Sequence, residues 1–496
     1  MSELNPQGRS PLRGDLGLYF MANILPMGSS VAGMIWVLRL MPSAEFGIFN
    51  LVSATASIAA TGAFQWLCQW ILRFGAQFVA PETRGAHWTV LWRGAAVASA
   101  LLALIALLVT AFRPGLAAMI GATLLLCLTL AAQSILITVL QGSVRAQSYT
   151  IVLSVSTLLR WICTILLCYL WKGSPSLWWT LLWGQLIGQV AATALALGAL
   201  RGNVSFRLFG PKQRPLELQA LFYGAPFLVW AVSMQLLNVA DRYVIQGFAG
   251  AQQVGAYSAI YNLSSASVMV LTNPVLLAFT PHIFQSAGAA GHLISNGDVR
   301  RLTENCLQLM WIIGAPLVVW SALLHREFVT LVLGSQYAQA ALVFPIVIGG
   351  ILLWQLAQIL QKGFETAAKT SALGSSIVSA VCVNLLLNFA MVPRWGVVGA
   401  ALATVGAYAW YAGLIFVRVV KYGRPQIAPR SMMNVILATS LSSAVLVLSS
   451  RLGAHLWMRA GACTVCLGLY GALLLLLREK TLTMPFREVQ RVLGTR

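Results

Sequence analysis

Residues Leu221 to Tyr257 read LFYGAPFLVWAVSMQLLNVADRYVIQGFAGAQQVGAY. The first part is an apolar helix by pattern, with Asp241 and Arg242 near its far end. A short break rich in Gly and Gln follows, and a second apolar helix begins at Val254. Two apolar helices joined so closely, with charges deep in the first, are expected in a lipid bilayer and not in water. The stretch therefore predicts a membrane protein with several spanning helices.

The composition of the whole chain supports this prediction. Of 496 residues only 9% are charged and 59% are hydrophobic, with a mean hydropathy of +0.80. A soluble domain carries about 25% charged residues, so this chain cannot present a water-facing surface all round. No GxxxxGK[ST] sequence occurs in it, so a nucleotide-binding loop of an ATP-driven motor is excluded.

The net charge of +20 comes from 32 Lys and Arg against 12 Asp and Glu. In a soluble protein such an excess indicates nucleic-acid binding. In a membrane protein it indicates Lys and Arg gathered in cytoplasmic loops, and we prefer this interpretation because the chain is so apolar. We expect no nucleic-acid partner.

A spanning helix needs about 20 apolar residues, and the sequence predicts about fourteen of them. Six lie near 16–38, 46–71, 90–112, 116–140, 149–171 and 177–200. Six more lie near 220–247, 254–280, 302–323, 338–361, 373–392 and 396–420. A last pair lies near 431–450 and 456–477.

The expected fold is an all-α polytopic membrane protein with two six-helix lobes and an additional helix pair. The predicted divisions are a first lobe 1–200, a basic cytoplasmic linker 201–219, a second lobe 220–422, and a helix pair with a basic tail 423–496. With both termini cytoplasmic, the inner segments hold 23 Lys and Arg and the outer loops 7, as the positive-inside rule requires. Both lobes then start inside and form parallel repeats, an arrangement that alternating-access transporters use.

The cysteines and histidines predict no metal or cofactor. All eight cysteines fall in apolar spans, and Cys463-x-x-Cys466 has no histidine nearby. That pair either binds zinc or undergoes redox chemistry, or fills space as small apolar side chains. We prefer packing, and the HExxH pattern of zinc enzymes is absent.

Four motifs in order carry a family resemblance. The most specific segment reads NFAMVPRWGVVGAALAT from Asn388 to Thr404, followed by Tyr408. It is similar to the helix eleven-to-twelve join of O-antigen-type polysaccharide flippases, in the multidrug/oligosaccharidyl-lipid/polysaccharide exporter superfamily. The other three matches are Asp241-Arg242 with Val254-Gly255-Ala256-Tyr257, Gly334 with Tyr337, and Phe46-Gly47 with Arg73-Phe74.

The resemblance implies a transporter and not an enzyme. Its expected substrate is a polyprenyl-pyrophosphate-linked oligosaccharide, moved across the bacterial inner membrane for surface polysaccharide synthesis by alternating access. A polysaccharide polymerase and chain-length machinery are the partner proteins that the resemblance implies.

One cation is predicted deep in an apolar helix. Arg160 lies near the middle of TIVLSVSTLLRWICTILLCYLW, where a charge costs about 2.5–3.5 kcal/mol on insertion scales. It either faces a transport cavity and meets the lipid pyrophosphate, or it is a structural arginine that bonds carbonyls or reaches toward the interface. Both interpretations stay open.

Four polar residues share one face of the helix predicted at 338–361 and just beyond it, at i, i+3, i+7 and i+10 spacing: Gln355, Gln358, Lys362 and Glu365. This stripe either lines the substrate path near the cytoplasmic mouth, with Glu365 as a possible ion-coupling group, or is an ion pair at a helix end.

Two further charges have open roles. Arg73 follows Gln65 and Gln69 at four-residue spacing, and it belongs either to the substrate path or to polar contacts between helices. Asp241 and Arg242 are adjacent and point about 100° apart on a helix. Asp241 is either an ion-coupling site or a structural charge at the outer end of its helix.

Three alternative functions remain. A cation-coupled drug exporter of the same superfamily should carry an acidic residue in its first helix. In the first helix predicted here, no carboxylate follows Asp15. A peptidoglycan-precursor flippase should carry several charges in helices one and two, where this chain has only Arg39 and Arg73, near their ends. A membrane glycosyltransferase or polymerase would need a large outer loop with paired acids, and the predicted outer loops are short.

Overall fold

The computed structural model describes residues 11–143, 146–172, 174, 176–205, 213–287, 297–366, 370–421, 425–451, 456–477 and 479. All regular structure in these ranges is helical. The chain separates into two compact units, Met1–Ser258 and Ala259–Arg496. The boundary between these units lies between Ser258 and Ala259, inside the helical segment Arg214–Ala287. The division into lobes at 201–219 therefore stays a prediction.

In the described ranges, six α-helices precede the basic segment 201–219. They are α1 (Pro11–Leu40), α2 (Ser43–Phe74), α3 (Arg84–Phe112), α4 (Ala117–Gly142), α5 (Ala146–Leu170) and α6 (Trp178–Ala199). The later helical segments are α7 (Arg214–Ala287), α8 (Gly297–Val332), α9 (Val343–Thr366), α10 (Thr370–Val420), α11 (Pro429–Arg451) and α12 (Leu456–Leu476).

Two of these segments are broken at a glycine. In α7 the break is at Gly250, with φ 79° and ψ 173°, and in α10 it is at Gly396, with φ 54° and ψ −133°. Only glycine takes such positive φ values without steric cost. The break predicted after residue 247 is thereby confirmed. The break predicted between residues 392 and 396 lies at Gly396, and Pro393 is still helical, because proline tolerates a helical φ whereas the break needs a positive one.

Ten segments of the described chain are long and apolar enough to cross a membrane. Two of them, of 71 and 48 residues, contain the glycine breaks and are long enough for two crossings each. The prediction of an all-α polytopic membrane protein is confirmed, and the count of fourteen crossings stays a prediction. The helix predicted at 302–323 extends to Val332 as α8, because the charges of His325-Arg326-Glu327 end its apolar run but not its helical geometry.

The first unit is built around α2, α4, α5 and α6. Helix α2 packs on α4, α5 packs on α1 and α6, and α6 also packs on α4. Large side chains fill the core near the end of α2, where Trp70, Phe78 and Trp88 are fully buried. The helix α3 instead exposes apolar residues such as Leu101 and Leu107, as a helix facing lipid does.

The second unit packs α9 on α10 and α8, and α11 on α12 and α8. The small residues Ala400, Ala401 and Ala403 of α10 are fully buried. Small side chains let helices approach closely in a membrane, where apolar surface alone provides no driving force. This packing brings Tyr411 of α10 to Gln361 of α9.

Candidate functional site

Arg160 lies among three helices of the first unit. Its Nη1 donates to Oε1 of Gln185 on α6 at 3.0 Å, and its Nη2 donates to Oγ of Ser30 on α1 at 3.3 Å. Its guanidinium carbon lies 4.6 Å from the ring centroid of Trp161. These partners are all neutral, and within the described ranges no carboxylate forms an ion pair with Arg160. The charge is therefore held in place without being neutralised.

Two glycines bring α6 close to α5 beside Arg160. A Cβ on Gly188 would lie 2.8 Å from Cβ of Arg160, and one on Gly184 would lie 2.9 Å from its carbonyl oxygen. Four residues apart, both glycines lie on one face of α6. The Nε–H of Arg160 is buried and has no acceptor among the described residues. A buried cationic donor of this kind suits an anionic oxygen.

Arg73 is not part of this cluster. It is exposed in the last turn of α2, and the hydrogen bonds and ion pairs of the described residues do not join it to Arg160. Its place on the substrate path stays a proposal.

Asp241 is buried and bonds across the glycine break in α7. One carboxylate oxygen accepts a hydrogen bond from the Tyr257 hydroxyl, and the other accepts the backbone N–H of Arg242 at 2.8 Å. Arg242 donates from Nε to Ser258 Oγ at 3.1 Å and from Nη1 to the Asn238 carbonyl at 2.7 Å. These bonds join the Asp-Arg motif before the break to the Val-Gly-Ala-Tyr motif and the residue after it. An ion-coupling role for Asp241 stays a proposal.

Gln355 is buried in the second unit and joins two helices. Its Nε2 donates to Thr272 Oγ1 at 2.8 Å and to Asn273 Oδ1 at 3.2 Å. Both acceptors lie in the last part of α7. The side chain therefore bonds protein groups, and the substrate role predicted for it has no support in this geometry.

The remaining polar residues of α9 form one network around Gln361. Its Nε2 donates to Gln358 Oε1 at 2.6 Å and to Glu365 Oε1 at 2.9 Å, and its Oε1 accepts the Tyr411 hydroxyl at 2.6 Å. The Lys362 ammonium lies 2.7 Å from Glu365 Oε2. The stripe predicted on α9 is thus brought together, and the ion pair named as its alternative is present within it.

Sequence reasoning missed Gln361 because it lies one position outside the i, i+3, i+7 pattern. Extending the polar stripe by one 100° step around the helix would have included it. It also missed Glu479, which is 2% exposed and follows α12. Glu479 accepts hydrogen bonds from Gln308 at 2.6 Å and Ser431 at 2.8 Å. The basic tail around Glu479 gave no signal for such burial.

Metal chemistry finds no support in the described ranges. No three His, Cys, Asp or Glu side chains in them are grouped so as to hold an ion. Cys463 is exposed and Cys466 buried on α12, and no further ligand joins the pair there. Of the two polar clusters, the one around Arg160 keeps a buried donor, and such a donor suits an anionic oxygen.

Known proteins resemble this chain in sequence and in fold. The family model described as "Polysaccharide biosynthesis protein" matches residues 13–287. A curated relative, the probable low-salt glycan biosynthesis flippase Agl15 of Haloferax volcanii, is 22% identical over 403 residues, covering 79% of each chain.

Two solved structures share the fold. The lipid II flippase MurJ in an inward closed conformation has a TM-score of 0.66 at 11% identity, covering 92% of this chain and 99% of that one. An inward-facing multidrug resistance MATE family transporter of the MOP superfamily has a TM-score of 0.54 at 14% identity, covering 81% and 97%.

Proposed function

We propose, from the premise that this chain belongs to the polysaccharide biosynthesis protein family, that it flips a polyprenyl-pyrophosphate-linked oligosaccharide across the membrane. The chain is a multi-pass membrane protein and a transporter of the exporter superfamily, which also contains flippases. The prediction that it is not an enzyme is confirmed by the character of its relatives. The substrate and the direction, from the cytoplasmic to the outer face, are our proposal.

The arginine in α5 supports this substrate most directly. Arg160 is held by two neutral oxygens and keeps a buried Nε–H with no described acceptor. A charge within a membrane-spanning helix is energetically costly. A bound anion lowers that cost for as long as it stays bound. Pyrophosphate oxygens accept charge-assisted hydrogen bonds from guanidinium groups. We therefore assign Arg160 the passage of the pyrophosphate.

The network on α9 supports the sugar part of the substrate. The amide of Gln358, which is half-buried beside Gln361, can both donate and accept, as sugar hydroxyls do. Lys362 adds a second cation beside them, while Glu365 holds it by an ion pair. In the proposed alternating-access cycle, Glu365 is the first candidate for coupling transport to an ion gradient, and Asp241 is the second.

The proposed setting is the inner membrane of a bacterium. Transport would supply oligosaccharide units at the outer face, where a polysaccharide polymerase and chain-length machinery would use them. The proposal of these partners rests on the family assignment alone. No surface of the described residues is assigned to them.

Deletion of the gene tests the proposal. Surface polysaccharide and lipid-linked intermediates would be measured in the deletion strain, the latter in inverted membrane vesicles. We expect loss of the polymer, with lipid-linked repeat units accumulating on the cytoplasmic face, and recovery when the gene is restored. Normal polymer together with new sensitivity to cationic drugs would instead favour the ion-coupled drug exporter.

A further inference from the structure

An open groove runs along α3 on the first unit. Its volume is about 960 Å³, and it lies between α2, α3 and the first turns of α7. Small residues, Gly62, Ala63 and Gly94, and larger ones, Trp66 and Ile105, line it together. Except at one end, its lining is apolar. Such a groove in a membrane protein is filled by a hydrocarbon chain or by another helix.

The one polar end consists of an ion pair. Arg93 Nη1 on α3 lies 3.2 Å from Glu217 Oε1 in the first turn of α7. Their side chains are 25% and 38% exposed, so a ligand can reach both. By the predicted orientation, this end of α3 is the cytoplasmic one.

We propose that this groove binds the polyprenyl chain of the substrate before transport, with the pyrophosphate at Arg93 before it passes Arg160. The inference rests on the proposed function and adds a binding site for the lipid part of the substrate. It places the carrier lipid on the outer surface of the first unit, apart from the Arg160 cluster.

The dimensions of the groove fit one hydrocarbon chain. From Arg93 to Ile105 the rise along α3 is about 18 Å at 1.5 Å per residue. One leaflet of the hydrocarbon core of a bilayer is about 15 Å thick. The groove is therefore long enough to hold a hydrocarbon chain across one whole leaflet. The indole N–H of Trp66 donates to the Ala63 carbonyl at 2.9 Å. The wall therefore presents no unsatisfied indole N–H to the chain.

The ion pair favours a pyrophosphate over a phosphodiester. To reach the Arg93 guanidinium, a head group must compete with the carboxylate of Glu217, which carries one negative charge. A phosphodiester lipid also carries one, so the exchange gains little in Coulomb energy. A pyrophosphate carries more charge and offers oxygens for a bidentate contact. The site therefore favours the head group that offers the guanidinium more oxygens.

Photolabelling of the full-length protein tests this site. The probe is a long-chain polyprenyl pyrophosphate with a photoreactive group in its isoprenoid chain, added to the protein in nanodiscs. Mass spectrometry of the labelled peptides locates the contact. We expect labels on α2 and α3 between residues 59 and 105. Labels confined to other helices would overturn the proposal.

A matched pair of variants separates the groove from general lipid contact. Gly62→Phe would fill the groove, because a Cβ there meets nothing within 4 Å. Gly121→Phe on α4 is the control, since its Cβ is equally free and it lies outside the groove. We expect at least a fivefold loss of labelling in Gly62→Phe and none in Gly121→Phe. Equal labelling of both variants would overturn the proposal.

Head-group selectivity is tested in the same assay. Glu217→Gln should increase labelling, because the carboxylate that pairs with Arg93 is removed, and Arg93→Gln should decrease it. Excess phosphatidylglycerol should compete poorly. Full competition by phosphatidylglycerol would assign the groove to ordinary phospholipid, and disulfide crosslinking of Ala98→Cys between two copies would assign it to a dimer contact. Both outcomes contradict the proposal.

Complementation distinguishes failure of the site from failure of the proposed function. If the wild-type gene does not restore polysaccharide in the deletion strain, the proposed function is wrong, whatever the labelling shows. If the wild-type gene restores it and Gly62→Phe is labelled and exports like wild type, the groove assignment alone is wrong.

Discussion

Arg160 is a half-buried charge whose proposed role depends on its hydrogen-bond partners. Its described hydrogen-bond partners, Gln185 and Ser30, are neutral, so its charge stays available for an anion. A purely structural arginine in a membrane is usually paired with a carboxylate or with backbone carbonyls. The side chain is nevertheless positioned, because Gly184 and Gly188 let α6 pack against it.

We predict that Arg160→Gln lowers polysaccharide export about tenfold or more, because a charge-assisted hydrogen bond contributes about 1.5–3 kcal/mol. Arg160→Lys should retain part of the activity, since it keeps the charge but loses the planar fork. Export would be measured by complementation at equal protein levels in the membrane. Arg113→Gln, which changes an exposed arginine, is the control and should export normally. Full export by Arg160→Gln would refute the role.

Tyr257 is expected to matter for stability. Its hydroxyl donates to the buried carboxylate of Asp241, so Tyr257→Phe removes a donor from a buried charge. We expect a loss of about 1–3 kcal/mol, seen as a lower apparent Tm of the purified protein in detergent. Tyr337→Phe, which removes a buried hydroxyl that has no partner among the described residues, is the comparison. An unchanged Tm for Tyr257→Phe would show that the bond contributes nothing.

Helix α9 contains the ion pair that was one of the two interpretations of its polar stripe, and the role in the substrate path stays a proposal. The ion pair between Lys362 and Glu365 is present, and the same carboxylate also accepts from Gln361, which binds Tyr411 on α10. The element is therefore both packed and polar. Its pattern in the sequence indicated the stripe, whereas the partner on α10 is far away in the chain and could not be inferred.

We predict that Glu365→Gln uncouples transport from the ion gradient. Folding should be retained, because the variant keeps an acceptor for Gln361. It loses only the charge that pairs with Lys362. Transport of a fluorescent lipid-linked oligosaccharide into proteoliposomes would be measured with and without a proton gradient. Wild type should be stimulated and the variant should not. Equal stimulation of both would exclude Glu365 and leave Asp241 as the candidate.

The crossing between the start of α2 and the second part of α7 depends on two glycines. A Cβ on Gly47 would collide with the Ala251 carbonyl, and one on Gly255 would collide with the Ser43 carbonyl. Gly47→Ala should cost about 1–3 kcal/mol through overpacking. Gly121→Ala should be neutral or stabilising, because its Cβ meets open space and alanine favours helix. Apparent Tm values of both purified variants would check this. Equal effects would contradict the close approach.

At the scale of the whole molecule, the topology is the main untested prediction. The excess of Lys and Arg on one side predicts both termini inside, and parity follows from the number of crossings. The two broken segments, α7 and α10, each hold two predicted spans. A missing crossing would reverse every later loop.

Cysteine labelling in whole cells tests the orientation. In a variant lacking the native cysteines, Gly115→Cys lies at the turn after α3 and Glu82→Cys at the turn before it, and both positions are exposed. We expect a membrane-impermeant maleimide to label Gly115→Cys in intact cells. Glu82→Cys should react only after permeabilisation. The reverse result would place the N-terminus outside.

The sequence by itself determined the class, the family and most helices of this protein. Lipid excludes unpaired backbone groups, so long apolar runs can only be helices, and composition sufficed to find them. Even the break in α7 was readable, because glycine is needed for a positive φ. What only the tertiary structure decided was the partner of each polar side chain.

Arg160 bonds Ser30 across 130 residues of chain and Gln185 across 25. Gln361 bonds Tyr411 across 50 residues, and Glu479 bonds Gln308 across 171. Such contacts arise from the packing of helices that are remote in sequence. Helical periodicity gives the direction of a side chain around its own axis, but not which helix lies opposite. For that reason the polar faces could be predicted and their partners could not.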